Sequence, residues 1–224
     1  MNSLPSLGLL FALLSSVALA ENKIDDKAAK LPVTKGHLLV LDANQGVDTE
    51  DGNRVKAWHN QVKGNAADVF VKQDKGRKKA GSGRPTLKTK VSEIGGNNTL
   101  VFEEQELINK DEDAFDHLVT GSGYTWFSVM SVYQQNVGKK DVNSFFGNLR
   151  NSTPYDGFWG NLMDDNRVWM GTRNGLPTKK KQTLWHKKLN PCVVTKKPLA
   201  ENRYSLVMGR MGSGQQVVDL ELFI

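Results

Sequence analysis

Apolar and polar positions along this chain alternate in short runs with a period of two, and no long segment carries a helical period. The longest run is Thr125-Trp126-Phe127-Ser128-Val129-Met130-Ser131-Val132-Tyr133, patterned as a half-buried strand. The same reasoning predicts strands over Leu38–Asp42, Arg54–Trp58, Ala67–Lys72, Thr99–Glu103, Tyr124–Tyr133, Ser144–Leu149, Arg167–Gly171, Val193–Lys196, Tyr204–Met211 and Val217–Ile224. Turn clusters separate them, among them Asp51-Gly52-Asn53, Gly95-Gly96-Asn97-Asn98, Gly121-Ser122-Gly123 and Arg173-Asn174-Gly175. Many short strands between Gly-rich turns predict an all-β fold, an antiparallel two-sheet jelly-roll sandwich, with no internal repeat and no second domain.

The two ends carry different signals. Residues 1–20 read as a secretory signal peptide: Leu7 to Leu14 is apolar apart from Gly8, and Ala18-Leu19-Ala20 supplies a small-x-small cleavage pattern before Glu21. Met1 to Ser6 holds no Lys or Arg, so the amino terminus is the one positive charge there. The apolar run is short for a membrane span, which takes about 20 residues. Export to the extracellular space, cell surface or periplasm is therefore expected, with no stable membrane insertion after cleavage. Residues 21–36 are polar and read as a linker or arm, and 37–224 as the domain. At the other end, Gln215 to Ile224 (QQVVDLELFI) is an apolar strand followed by no turn or polar tail. Such a strand needs a partner on its far side, and the expectation is an incomplete domain, cut within a sheet.

Charge narrows the partners. The formal net charge is +6, and residues 1–20 contribute none of it. A basic surface favours acidic partners such as anionic polysaccharide or a membrane surface; export argues against nucleic acid. Two Lys-rich stretches, Lys72 to Lys79 and Lys179 to Lys188, interrupt the strands and read as solvated loops. Trp185 and His186 lie within the second, where a ring can stack on a sugar while cations take acidic groups. Cys192 is the single cysteine, so no intramolecular disulfide forms; it is expected to start a strand as a small buried hydrophobe. No CxxC or HExxH pattern marks a zinc site.

Four segments, in order, resemble the laminin-G-like, concanavalin A-like lectin/glucanase jelly-roll domains of exported bacterial proteins. They are His37-Leu38-Leu39-Val40-Leu41-Asp42-Ala43 with Arg54-Val55-Lys56-Ala57-Trp58; Gly83-Arg84-Pro85-Thr86-Leu87 with Leu100-Val101-Phe102; Tyr124 to Val132; and Tyr204 to Ile224. The resemblance covers roughly residues 36 to 224 and implies two antiparallel sheets packed face to face. It also implies at least one further hairpin after Ile224. His59, in Trp58-His59-Asn60-Gln61, departs from the acidic or small residue frequent in such domains.

Enzymes of this class carry a Glu-x-Asp-x-Glu strand, because residues two apart share a face. Here Asp219 and Glu221 occupy the last two positions and Val217 the first, so the expected reading is non-catalytic. Aromatic and polar residues are densest over Tyr155 to Arg173. Rings stack on sugar faces while Asp, Asn and Arg bond hydroxyls, which makes Trp159, Asp164, Asp165, Asn166, Arg173 and Trp185 the candidate ligand-binding residues. Asp164, Asp165 and Asn166 also offer the oxygen donors that Ca²⁺ takes, so calcium is the one candidate cofactor. Asn97-Asn98-Thr99 and Asn151-Ser152-Thr153 match the glycosylation pattern, unmodified if the source is bacterial. The reading is a carbohydrate-binding or surface-interaction module whose partner is a glycan or a cell-surface protein. The alternatives are a glycoside hydrolase or polysaccharide lyase on the same fold, and a structural protein-interaction domain with no glycan ligand. An exposed apolar patch in place of an aromatic-lined cleft would favour the last.

Overall fold

The computed structural model describes residues 35–64, 66–74, 83–111, 113–119, 123–135, 143–148, 156–174, 192–212 and 220–224. Residues 1–20, nearly all of the expected arm, Trp185, the two Lys-rich stretches beyond Asp74, Asp219 and the Asn151 sequon lie outside these residues. The described chain is all-β. Its strands are β1 (Val47–Glu50), β2 (Arg54–His59), β3 (Val69–Lys72), β4 (Thr86–Val91), β5 (Asn97–Val101), β6 (Leu107–Ile108), β7 (Tyr124–Met130), β8 (Ser144–Gly147), β9 (Asp156–Leu162), β10 (Val168–Asn174), β11 (Cys192–Val194), β12 (Ser205–Met211) and β13 (Leu220–Phe223). They form three antiparallel sheets: β5-β4-β2-β3-β6 with β1 also on β2, then β11-β10-β9-β8, and β13-β12-β7. No helix among the described residues is long and apolar enough to cross a membrane.

The second and third sheets pack face to face as a β-sandwich. Val132, Val168, Leu199 and Val207 are buried together, with Phe145 and Leu162 arriving from one sheet and Trp126, Met130 and Leu222 from the other. Aromatic rings fill the rest of this layer: Trp126, Phe145 and Phe146 meet edge-on at centroid distances of 4.9 to 5.7 Å, and Tyr124 lies 4.8 Å from Phe158. Glycine makes room for them. A Cβ on Gly209 would overlap the Trp126 indole, and one on Gly160 would meet the Phe145 and Phe146 rings.

The first sheet is tied together by polar side chains. Buried Asn60 accepts from the amides of Val40 (2.9 Å) and Val62 (3.0 Å) and donates to the carbonyls of Leu38 and Ala67 (both 2.9 Å). Arg84 bridges Glu50 (2.7 Å), Asp51 (3.0 Å) and Asp74 (3.3 Å). Lys72 also bonds Glu50, and that hydrogen bond holds the Glu50 carboxyl below its ordinary range.

Several expectations change. Leu38–Asp42 is irregular: its backbone bonds to the Asn60 and Trp58 side chains and to the Gln61 and Gln45 amides, with no strand ladder. Strands form instead at β1, β4, β6 and β9, none of which the alternation singled out. Cys192 does start a strand, yet it is exposed: β11 is the margin of its sheet, flanked among the described residues by β10 alone.

Candidate interaction surface

Trp159 and Arg173 share one face of the β9–β10 hairpin, pointing away from the sandwich core. Trp159 pairs across the strands with Gly171 and Arg173 with Gly157. The indole lies over Gly171, where a Cβ would overlap it, and meets Trp169 edge-on at 5.8 Å. Trp159 is only 6% exposed and Arg173 3%, so neither presents an open surface to a sugar ring. The Trp159 Nε1 is buried without a hydrogen-bond partner.

Asp164, Asp165 and Asn166 lie at the far end of the same hairpin, in the turn that Val168 closes against Leu162. Arg173 is five residues beyond Val168, a distance of about 17 Å along a strand. The candidate residues therefore spread along one hairpin, with Asp164, Asp165 and Asn166 in the turn, Trp159 midway and Arg173 towards the other end. The turn is built from its own bonds: the Met163 amide donates to the Arg167 carbonyl (2.8 Å), and the Asn166 amide to the Met163 carbonyl (2.9 Å). Asn166 takes a left-handed φ of 63°, which Asn tolerates. Partial burial raises the Asp165 carboxyl, but bonds from the Arg167 amide and guanidinium outweigh this and leave it below its ordinary range.

For calcium, this turn is a poor fit. Ca²⁺ takes six to eight oxygens. Asp164 Oδ1 and Asn166 Oδ1 are buried without partners, but Asp165 is committed to Arg167 and Asn166 Nδ2 lies 3.3 Å from Glu201 Oε1. Among the described residues no group of three His, Cys, Asp or Glu side chains converges to hold a metal. A depression of about 250 Å³ over β4 and β5, lined by Thr86, Leu87, Lys88, Val101 and Glu103, has no aromatic floor.

Exposed recognition-type residues gather elsewhere, on the outer face of β7, β12 and β13, apart from Leu39, Phe102 and Tyr133. Trp126, Met130, Val207 and Leu222 turn inward, so by strand alternation Phe127, Val129, Leu206, Met208 and Phe223 turn outward. The register sets them in rows: Val129 beside Leu206, then Phe127, Met208 and Phe223 abreast, then Thr125, Arg210 and Glu221. Phe127 is 65% exposed, Val129 62% and Leu206 57%; Phe223 and Ile224 are also exposed. Arg210 and Glu221 pair at 3.1 Å, so the face has no net charge from this row. Four side chains of this size, about half exposed, present roughly 400 Å² of apolar surface, within the range of the largest patch on a monomer and often functional.

The sequence carried the signal for this face in another form. The strands YTWFSVM, SLVMGRM and LELF keep apolar residues on both faces, as strands do when layers cover both sides. Reading β7 as half-buried left its second face unremarked. No protein-family model, no curated protein and no solved structure matches this chain.

Proposed function

We propose that this chain is a non-catalytic jelly-roll module of an exported protein, and that it works by docking a protein on the outer face of β7, β12 and β13. One observation carries the reading: Phe127, Val129, Leu206 and Phe223 are exposed on one registered face, whereas Trp159 and Arg173 are buried. An apolar sheet face in water is unfavourable by about 25 cal/mol per Å², and covering it is the driving force such a module would use. The neutral Arg210–Glu221 row favours a protein partner over a polyanion, because a sulfated or carboxylated glycan needs unpaired cations. In this reading Glu221 orders the face as the partner of Arg210 and has no part in hydrolysis. The module needs no calcium, and chelation leaves docking unchanged.

A glycan array probed with the chain, with Trp159→Ala and with Phe127→Glu, separates the readings. The proposal predicts no saturable glycan binding by any of the three, with or without Ca²⁺. Saturable binding lost in Trp159→Ala would replace it with the lectin-like reading.

A further inference from the structure

We infer that the partner on this face is a second copy of the same chain, the two β7–β12–β13 sheets stacking outer face to outer face. The inference rests on the reading of that face as the docking surface and names its occupant. Three features support a copy. The first is area. Two faces of roughly 400 Å² each supply about 800 Å² of apolar burial, and the surrounding Met208, Thr125, Arg210 and Glu221 bring the total towards the roughly 1,200 Å² at the lower end of a standard stable interface. The second is charge. A chain of net charge +6 repels its own copy, so a self-interface is tolerated where the surface is locally neutral. Here the exposed charges are opposite and already paired, Arg210 with Glu221 at 3.1 Å; neither is left facing a like charge alone. The third is shape. The face is an antiparallel sheet whose outward side chains stand in three registered rows, and sheets of this kind stack about 10 Å apart with their side chains interdigitated. The β7–β12–β13 sheet would then be the inner layer of a larger sandwich, as its two-sided apolar sequence requires.

The test is the solution mass of the purified chain by sedimentation and light scattering over a micromolar concentration series. Twice the chain mass is expected for the wild type. Phe127→Glu and Leu206→Glu, each placing a carboxylate in the apolar rows, should shift the dissociation constant by at least about a hundredfold towards monomer. Val129→Thr, a smaller change on the same face, should weaken association by about tenfold or less and guards against misfolding in the Glu variants. Unchanged circular dichroism in the variants establishes that the fold survives. A wild type that stays monomeric throughout overturns the inference, as does a dimer that all three variants leave intact. If the wild type is monomeric while a crosslinker at position 127 still captures another protein, the copy is wrong and the docking surface stands. If neither occurs, both fall.

Discussion

Tyr124 shows how a single side chain couples this core to pH. Its ring lies 4.8 Å from Phe158 inside the sandwich, and burial pushes its phenol well above the ordinary tyrosine range. The folded state therefore holds the proton more tightly than the unfolded chain does. The associated stability is fully present below about pH 10 and is lost as the pH rises towards the folded value, by at most about 1.4 kcal/mol per pH unit. Denaturant melts of the wild type between pH 9 and 11 are expected to show this alkaline loss, and Tyr124→Phe to flatten it. An equal slope in both would place the titration elsewhere. Tyr133 is also raised, by partial burial and then by Glu103 and Glu104, but it is nearly half exposed and contributes less. Residues of this kind were only partly legible in the sequence. Asn60 stood out there merely as a neighbour of Trp58 and His59, because its bonding partners Leu38, Val40 and Ala67 reach it only after folding.

At the scale of elements, glycine explains both what the β9–β10 hairpin does and why β9 was hard to foresee. Gly157-Phe158-Trp159-Gly160 reads as a tight loop, since glycine in a strand loses entropy and offers nothing to pack. In the fold Gly160 sits where the Phe145 and Phe146 rings cross the sheet, and on the paired strand Gly171 sits beneath Trp159. The same holds for Gly209 beneath Trp126. Gly171→Ala and Gly209→Ala should each destabilise the chain by about 1–3 kcal/mol, the usual consequence of overpacking a filled core. The midpoint of urea unfolding reports it; a shift below about 0.5 kcal/mol would mean that the indoles do not lie on these glycines. Strand β7 was legible because branched and aromatic residues dominate it. Strand β4 (TLKTKV) was not, because Lys88 and Lys90 leave it only two strongly apolar side chains.

For the whole molecule, the predicted sandwich holds for the four- and three-stranded sheets, which meet over Val132, Val168, Leu199 and Val207. The candidate site moves. Sequence density pointed to Tyr155–Arg173, where aromatic and polar residues crowd together, but that crowding reflects a strand packed on both faces. What distinguishes a surface from a core is which side of each strand stays uncovered, and alternation alone does not give that. Phe127 and Val129 come from a strand that lies far along the chain from those of Leu206 and Phe223, and only the register unites them. The central claim is that this face is covered when the protein works. Benzoyl-phenylalanine placed at position 127, and in a control at exposed Lys56 on β2, tests it in cells that make the protein. The account predicts a discrete crosslinked species from position 127, absent from the control and lost when Leu206→Glu is added. Equal crosslinking from both positions, or none from position 127, would contradict it.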